Sequence, residues 1–270
     1  MIRALLVAIF VLLSGQAALA NARITVLMDV LRISDVVEIM REEGFAYAEE
    51  LDTDMLDGRG GAFWRAQVGQ IYRADPILER VRTALEQGLT PDEIDAVIAF
   101  FGAPEGARII ALENAARRAM ADPTVEEAVR ALFDDRSGSK DPMTRIVTAF
   151  IEANDLVERN LSGAMTANAQ FFLGLSDGGY IEDTESQILE NVWSQQKDIR
   201  LDTENWLNGF LFMAYEPLPD DVMQSYLTFS TTQAGQALNA ALFEGFEGVY
   251  REISYALGRA VALQAEGDEI

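Results

Sequence analysis

The segment "LTPDEIDAVIAFFGAPEGARIIAL", at residues 89–112, constrains the fold more than any other part of the chain. Thr90 is a residue type that commonly precedes a helix, Pro91 suits the first helical position, and Glu93 completes a capping box with Thr90. Apolar residues then follow at the spacing of one buried helical stripe, at Ile94, Val97, Ile98 and Phe101. This pattern predicts a short amphipathic helix over residues 91–101.

The same segment predicts a break and a second helix. We expect Gly102 to close the first helix in the left-handed conformation, and Pro104 to open the next helix at its first position. Gly106 would then lie in the first turn of the second helix, where the missing side chain allows two backbones to approach closely. The segment is therefore expected to form a helical hairpin.

A related segment, "LPDDVMQSYLTFSTTQAGQALNAA", begins at Leu218, and each matched residue lies 129 positions after its counterpart. Identical pairs are Leu89 and Leu218, Asp92 and Asp221, Phe100 and Phe229, Gly106 and Gly235, and Ala111 and Ala240. In the second copy Ser230 replaces Phe101, and Thr-Thr-Gln replaces the Gly-Ala-Pro break. We interpret the two segments as diverged copies of one hairpin, whose motif residues serve capping and packing and not chemistry.

The first copy resembles a bacterial family of exported proteins known as domain of unknown function 2059. The shared pattern is Leu-Ser/Thr at a helix start, an aromatic pair, then Pro, any residue and Gly. It is carried here by Leu89, Thr90, Phe100, Phe101, Pro104 and Gly106. Residues 76–135 match this pattern well, and residues 205–262 match it weakly. The resemblance implies a helical exported protein and implies no activity.

Apolar residues alternate with polar ones at period 2 over no sustained stretch, so the rest of the sequence predicts no strand. We therefore expect an all-α protein, a multi-helix bundle of two repeated helical-hairpin modules with no sheet. "DDRSGSKDP" is the most linker-like stretch. We therefore expect a cleaved signal peptide over 1–20, a first module over 21–135, a linker over 136–142 and a second module over 143–270. Further helices are expected over 62–73, 76–87, 182–199 and 203–215, with one long helix from Met143 towards Leu173.

The first twenty residues, "MIRALLVAIFVLLSGQAALA", have the layout of a secretory signal peptide, with cleavage expected after Ala20. The apolar run 4–13 is about half of the ~20 residues that a membrane span needs. The chain contains no cysteine, so it can carry neither a lipid anchor of the lipoprotein type nor a disulfide. We expect a soluble periplasmic protein without a membrane span after cleavage.

The charge and the composition of the chain disfavour several classes of partner and exclude several kinds of catalytic or metal site. The chain has 44 acidic and 21 basic residues and a net charge of −23, which disfavours nucleic acids and anionic lipids as partners. It has no histidine and no cysteine, which removes histidine general bases, thiol nucleophiles and most zinc sites. We therefore expect no catalytic residue, no cofactor and no metal.

Two acidic patterns were candidates for chemistry. Adjacent pairs such as Glu42-Glu43, Glu49-Glu50 and Glu126-Glu127 could supply the acid and base of a hydrolase, but on amphipathic helices they are expected to face solvent. Asp52, Asp54 and Asp57 precede Gly58 in a loop, but their register fails the EF-hand pattern. We interpret both patterns as ordinary surface features.

Three functional hypotheses remain. The leading one is a non-enzymatic envelope module that binds another protein or an apolar ligand in a groove between the two hairpin modules. The aromatic residues Phe171, Phe172, Trp193, Trp206, Phe210 and Phe212 could line such a cavity or simply supply the core. The alternatives are a carboxylate-dependent envelope hydrolase and a self-associating structural scaffold.

Overall fold

A computed structural model describes residues 21–138 and 141–267, so the expected signal peptide lies outside the described residues. The first described helix, α1, covers residues 21–30. It is followed by α2 (Ile33–Met55), α3 (Gly61–Ile71), α4 (Ala74–Gly88), α5 (Pro91–Phe101), α6 (Pro104–Ala119), α7 (Pro123–Gly138), α8 (Pro142–Ala153), α9 (Leu156–Asp177), α10 (Glu185–Ser194), α11 (Gln196–Tyr215), α12 (Asp220–Ser230) and α13 (Gln233–Gly267). No strand occurs in these ranges, so the all-α prediction is confirmed.

Helix α5 has the predicted bounds because its start signals act locally. The Thr90 side chain accepts a hydrogen bond from the Glu93 backbone N–H, and Glu93 Oε2 accepts from the Thr90 backbone N–H at 2.8 Å. These bonds satisfy donors that the first helical turn leaves free.

The end of α5 differs from the expectation. Gly102 has φ −76° and ψ −14°, so it is right-handed and not left-handed as predicted. The helix ends instead because Pro104 disfavours the helical conformation at Ala103, which is extended at φ −70° and ψ 156°.

Replacing Thr90 with alanine is expected to lower the free energy of unfolding by about 1 kcal/mol, because the alanine side chain cannot accept the Glu93 N–H bond. Urea denaturation of the mature chain measures this loss. Thr90→Ser keeps the hydroxyl and is the matched control, expected to stay close to the wild type. Equal stability of the alanine and serine variants would contradict a stabilising cap.

The second hairpin reproduces the bounds of the first at the same spacing along the chain. Helices α12 and α13 begin at Asp220 and Gln233, and α12 ends at Ser230. The capping chemistry differs, because Pro219 precedes α12 without a side-chain cap while the Gly235 backbone N–H binds Thr232 Oγ1 at 3.1 Å. The predicted repeat of helical hairpins is therefore present in the fold.

The motif glycine has the same role in both hairpins. A Cβ added to Gly106 would lie 2.2 Å from the Phe100 carbonyl oxygen, and one added to Gly235 would lie 2.3 Å from the Phe229 carbonyl oxygen. Each second helix therefore starts directly against the end of the first, a spacing that no larger residue permits.

Two apolar cores hold the bundle together, and both halves of the chain contribute to each. Helix α4 of the first half packs along α13, while α11 of the second half packs along α6. Isoleucine and leucine side chains of α1, at Ile24 and Leu27, are also buried. The two-module division at residues 136–142 stays a prediction; α7 extends to Gly138, and Asp141 caps α8 by accepting from the Met143 and Thr144 N–H groups.

Helices α9 and α13 form a close crossing. A Cβ on Gly174 would lie 2.3 Å from the Tyr255 carbonyl oxygen, and one on Gly258 would lie 2.1 Å from the Phe171 carbonyl oxygen. These two glycines let the helix backbones touch.

Three helix boundaries were predicted wrongly. Asp52 and Asp54, which were expected in a loop, lie in α2, and this helix ends only at Met55. The long helix expected from Met143 is divided into α8 and α9 at Asp155, whose φ is 53°. The break expected between residues 199 and 203 lies instead at Gln195, where α10 ends and α11 begins. Among the residues that the structure describes, no helix is both long and apolar enough to cross a bilayer.

Candidate functional site

The two hairpins meet through equivalent residues. The rings of Phe100 and Phe229 stack with centroids 4.1 Å apart and an interplanar angle of 10°. Contact between matched residues is the arrangement that a twofold axis produces. At this contact the two rings leave no space between them for an apolar ligand, and the inter-module groove stays a prediction.

Further rings surround this contact, with Tyr226 at the centre. Its ring lies 5.8 Å from that of Phe101, 4.8 Å from that of Phe150 and 5.8 Å from that of Tyr215. Edge-to-face and tilted contacts of this kind add to the stabilisation from apolar burial. We call these residues, with Phe100 and Phe229, the ring cluster.

One carboxylate lies against the ring cluster. Glu113 Oε1 accepts hydrogen bonds from Tyr215 Oη at 2.7 Å and from Tyr226 Oη at 3.1 Å. Burial raises the pKa of Glu113 above the ordinary glutamate value, although both phenol hydrogen bonds act in the opposite direction. Burial, followed by the nearby negative charge of Glu113, raises the pKa of both tyrosines well above the usual range.

This environment predicts a pH dependence of stability. The folded state favours the protonated form of Glu113. Protonated Glu113 therefore stabilises the folded state, and this contribution to the free energy of unfolding is complete below the pKa of glutamate in the unfolded chain. It is lost as the pH rises through the higher pKa of the folded state. Glu113→Gln keeps an oxygen that accepts from both phenols and cannot titrate, so it should show no such loss.

Urea denaturation of both proteins at several pH values measures this effect. The wild type is expected to lose stability relative to Glu113→Gln as the pH increases from below the ordinary glutamate pKa to neutrality. Glu127→Gln is the matched control, since it removes one charge from an exposed position. A difference between the wild type and Glu113→Gln that does not vary with pH would contradict the raised pKa.

The polar residues of the second copy have structural partners. Ser230, which stands where the first copy has Phe101, is buried, and its Oγ accepts a bond from Asn154 Nδ2 at 3.0 Å. Gln236 Nε2 donates to the Ser230 carbonyl at 2.7 Å, and Asn239 Nδ2 donates to the Asn154 carbonyl at 3.0 Å. This network holds the junction of α8 and α9 against α12 and α13. A structural hydrogen bond therefore explains why Ser230 stands where the first copy has a phenylalanine.

The sequence-predicted motif residues lie at the start and at the contact of the hairpins. Leu89 and Leu218 are buried, Leu89 in one core and Leu218 in the other. Asp221 lies in the first turn of α12. Glu93 also joins the two hairpins, because its Oε1 accepts from Gln233 Nε2 at 2.7 Å. Hydrogen bonds from Thr90 and then Gln233 lower the pKa of Glu93.

Several of the acidic candidates from the sequence have ordinary structural partners. Glu43 forms a two-point ion pair with Arg117, at 2.8 and 2.7 Å, and Glu126 pairs with Arg130. Asp52 Oδ1 accepts from the Gly60 backbone N–H at 2.7 Å and so closes the turn after α2. Within residues 21–138 and 141–267, no group of three acidic side chains is placed to hold a metal ion.

Among the described residues, the most exposed aromatic side chain is that of Trp193, which belongs to α10. Ile188 and Val192 of this helix are buried, whereas Leu189 is 49% exposed and Trp193 is 66% exposed. By contrast, Trp64 is buried and its Nε1–H donates to the Ala48 carbonyl at 3.1 Å. From the sequence, Trp193 has two possible places, a cavity lining or the core, and its exposure fits neither. In the sequence, the pair Leu189 and Trp193 stands one position after the buried pair Ile188 and Val192, which shows that α10 has two apolar faces.

Comparison with known proteins supports the resemblance noted for the first hairpin. Residues 75–135 match the DUF2059 family. The description of that family is "Uncharacterized protein conserved in bacteria". The DUF2059 segment covers nearly all of α4 together with α5, α6 and most of α7, so it includes the first hairpin and the motif Pro104-x-Gly106. No curated protein and no solved structure matches the chain.

Proposed function

We propose that this protein is an exported, non-enzymatic binding module of the bacterial cell envelope. After removal of residues 1–20 it would act in the periplasm. It would bind another protein through the outer face of α10, the surface formed by Leu189 and Trp193. The N-terminal layout, the bacterial DUF2059 segment and the absence of histidine and cysteine support the exported and non-enzymatic parts of this proposal.

The observation that carries the binding role is the exposure of Trp193 beside Leu189. These residues lie four positions apart on one helix, so their side chains are neighbours on its surface. Trp193 leaves 66% of its surface exposed to solvent. In the same chain Trp64 is buried, and its indole N–H donates a hydrogen bond to the Ala48 carbonyl. Exposed tryptophans of this kind are typical anchors of protein interfaces.

The alternatives find less support. Rings fill the contact between the hairpins, which disfavours an apolar ligand there. A glycoside hydrolase of the common kind needs two carboxyl groups about 5–9.5 Å apart. The half-buried carboxylate of Glu113 is instead hydrogen-bonded to two phenols. A self-associating scaffold stays a competing outcome of the experiment below.

Photocrosslinking in cells tests the proposal. A photoreactive phenylalanine analogue is placed at position 189 or 193 in the chain with its leader, and at position 63 as a control. Phe63 is also exposed but lies on α3. We expect one discrete covalent protein adduct from positions 189 and 193 and none from position 63.

Two results would contradict the proposal. Adducts of equal yield at position 63 would indicate non-specific capture. An adduct with twice the mass of the chain would show that α10 contacts a second copy, which is the scaffold hypothesis.

A further inference from the structure

We infer that the outer face of α10 takes a cationic amphipathic segment of its partner protein, with an apolar residue flanked by lysine or arginine. This inference rests on the proposed function and adds the chemistry of the partner. Its first element is the apolar pair Leu189 and Trp193, whose neighbours Ile188 and Val192 already face the bundle and cannot contribute to a second contact.

The second element is a border of carboxylates. At 100° per residue, Glu185 and Glu190 fall on opposite sides of the line that joins Leu189 to Trp193. Both side chains are exposed, and among the described residues neither has an ion pair with lysine or arginine. The apolar pair thus lies between two negative charges that lack a partner.

The adjoining start of α11 adds to the negative charge. Asp198 and Glu204 are exposed there, and the positive charge of Arg200 is already bound by Glu158, through Arg200 Nη2 and Glu158 Oε2 at 2.7 Å. Lys197 is the remaining cation in this part of the helix. The net charge of the surroundings is therefore negative, as it is for the whole chain at −23.

Charge complementarity selects the occupant. An acidic segment would place like charges beside Glu185 and Glu190, and an anionic lipid surface would be repelled for the same reason. A segment with lysine or arginine on both sides of an apolar residue pairs with both carboxylates while its apolar side chain covers Trp193. Amphipathic helices bind other proteins by an apolar stripe of this type.

The test uses the mature chain and three synthetic peptides. The first is an amphipathic lysine–leucine helix, the second has the same composition in scrambled order, and the third replaces every lysine with glutamate. Calorimetric titration gives the Kd of each peptide. We expect the first to bind most tightly, and its binding to weaken with added salt.

Matched variants separate the α10 face from the general acidity of the surface. Trp193→Ala should raise the Kd of the lysine–leucine peptide at least about tenfold. Glu185→Gln with Glu190→Gln should raise it about threefold. Glu49→Gln with Glu50→Gln removes the same charge from exposed positions on α2 and should leave the Kd unchanged.

The inference is overturned if the α10 and α2 charge variants weaken binding equally, or if the scrambled peptide binds as tightly as the amphipathic one. It is also overturned if the protein binds phosphatidylglycerol vesicles in preference to the peptide. A specific adduct at position 193 together with no peptide binding would refute the cationic partner and leave the proposed function intact. Absence of that adduct refutes the proposed function itself.

Discussion

Replacing Phe101 with alanine is expected to lower the free energy of unfolding by about 3–5 kcal/mol. The side chain is buried and belongs to the ring cluster, with its ring 5.0 Å from that of Phe100 and 5.6 Å from that of Phe229. Truncation leaves a cavity where the two hairpins meet, and the stacked pair Phe100 and Phe229 loses its edge contacts. The loss should therefore affect the whole bundle.

Urea denaturation of the mature chain measures the loss, and Phe63→Ala is the matched control. Phe63 has the same side chain but is 56% exposed, so its truncation should change stability by about 0.5 kcal/mol or less. A loss below about 1 kcal/mol for Phe101→Ala would show that the ring cluster contributes little to the stability of the fold.

Gly174→Ala is expected to destabilise the protein by about 1–3 kcal/mol, although alanine favours helices. The new Cβ would lie 2.3 Å from the Tyr255 carbonyl oxygen and 2.9 Å from the Arg259 backbone nitrogen. Both atoms belong to the backbone of α13, so no side-chain rotation relieves the clash. Helices α9 and α13 must separate, and each then loses apolar contact with the other.

The same helix supplies the control for this prediction. Gly163 also lies within α9, and an added Cβ would meet nothing within 4 Å. Gly163→Ala should therefore stabilise the chain by about 0.5–1 kcal/mol. The close crossing would be contradicted if both alanine variants were at least as stable as the wild type in thermal or urea denaturation.

Local sequence determined the parts of the fold that were predicted correctly. The bounds of α5 follow from Thr90, Glu93 and Pro104, which act within a few residues, and the repeat carries those bounds to α12. The break at Gln195 was missed because neither glycine nor proline marks it. The division at Asp155 was also missed. This residue is left-handed, with φ 53°, a conformation that aspartate adopts only occasionally and that the sequence does not mark.

Long-range contacts were beyond a single sequence. The stacking of Phe100 on Phe229 joins residues that are distant in the chain, and the repeat alone does not give the orientation of its two copies. Gly174 and Gly258 are also distant in the chain, and the sequence does not show that their helices, α9 and α13, cross at these residues. In α10 apolar residues occur on two faces, so the pattern could not show which face packs inside.

The absence of cysteine allows a direct measurement of the binding role. Ser186 and Ala62 are small exposed residues, Ser186 on the outer face of α10 and Ala62 on α3. Ser186→Cys and Ala62→Cys each give the chain a single thiol. A small maleimide that does not cross the cytoplasmic membrane would label that thiol in intact cells and in the purified protein.

We expect the Ala62→Cys protein to be labelled in intact cells at the rate of the purified protein, as export requires. The Ser186→Cys protein should be labelled several-fold more slowly in cells than after purification, because a partner covers α10. Equal rates in cells and in purified protein at position 186 would contradict the proposed binding face. Failure to label position 62 in intact cells would contradict export.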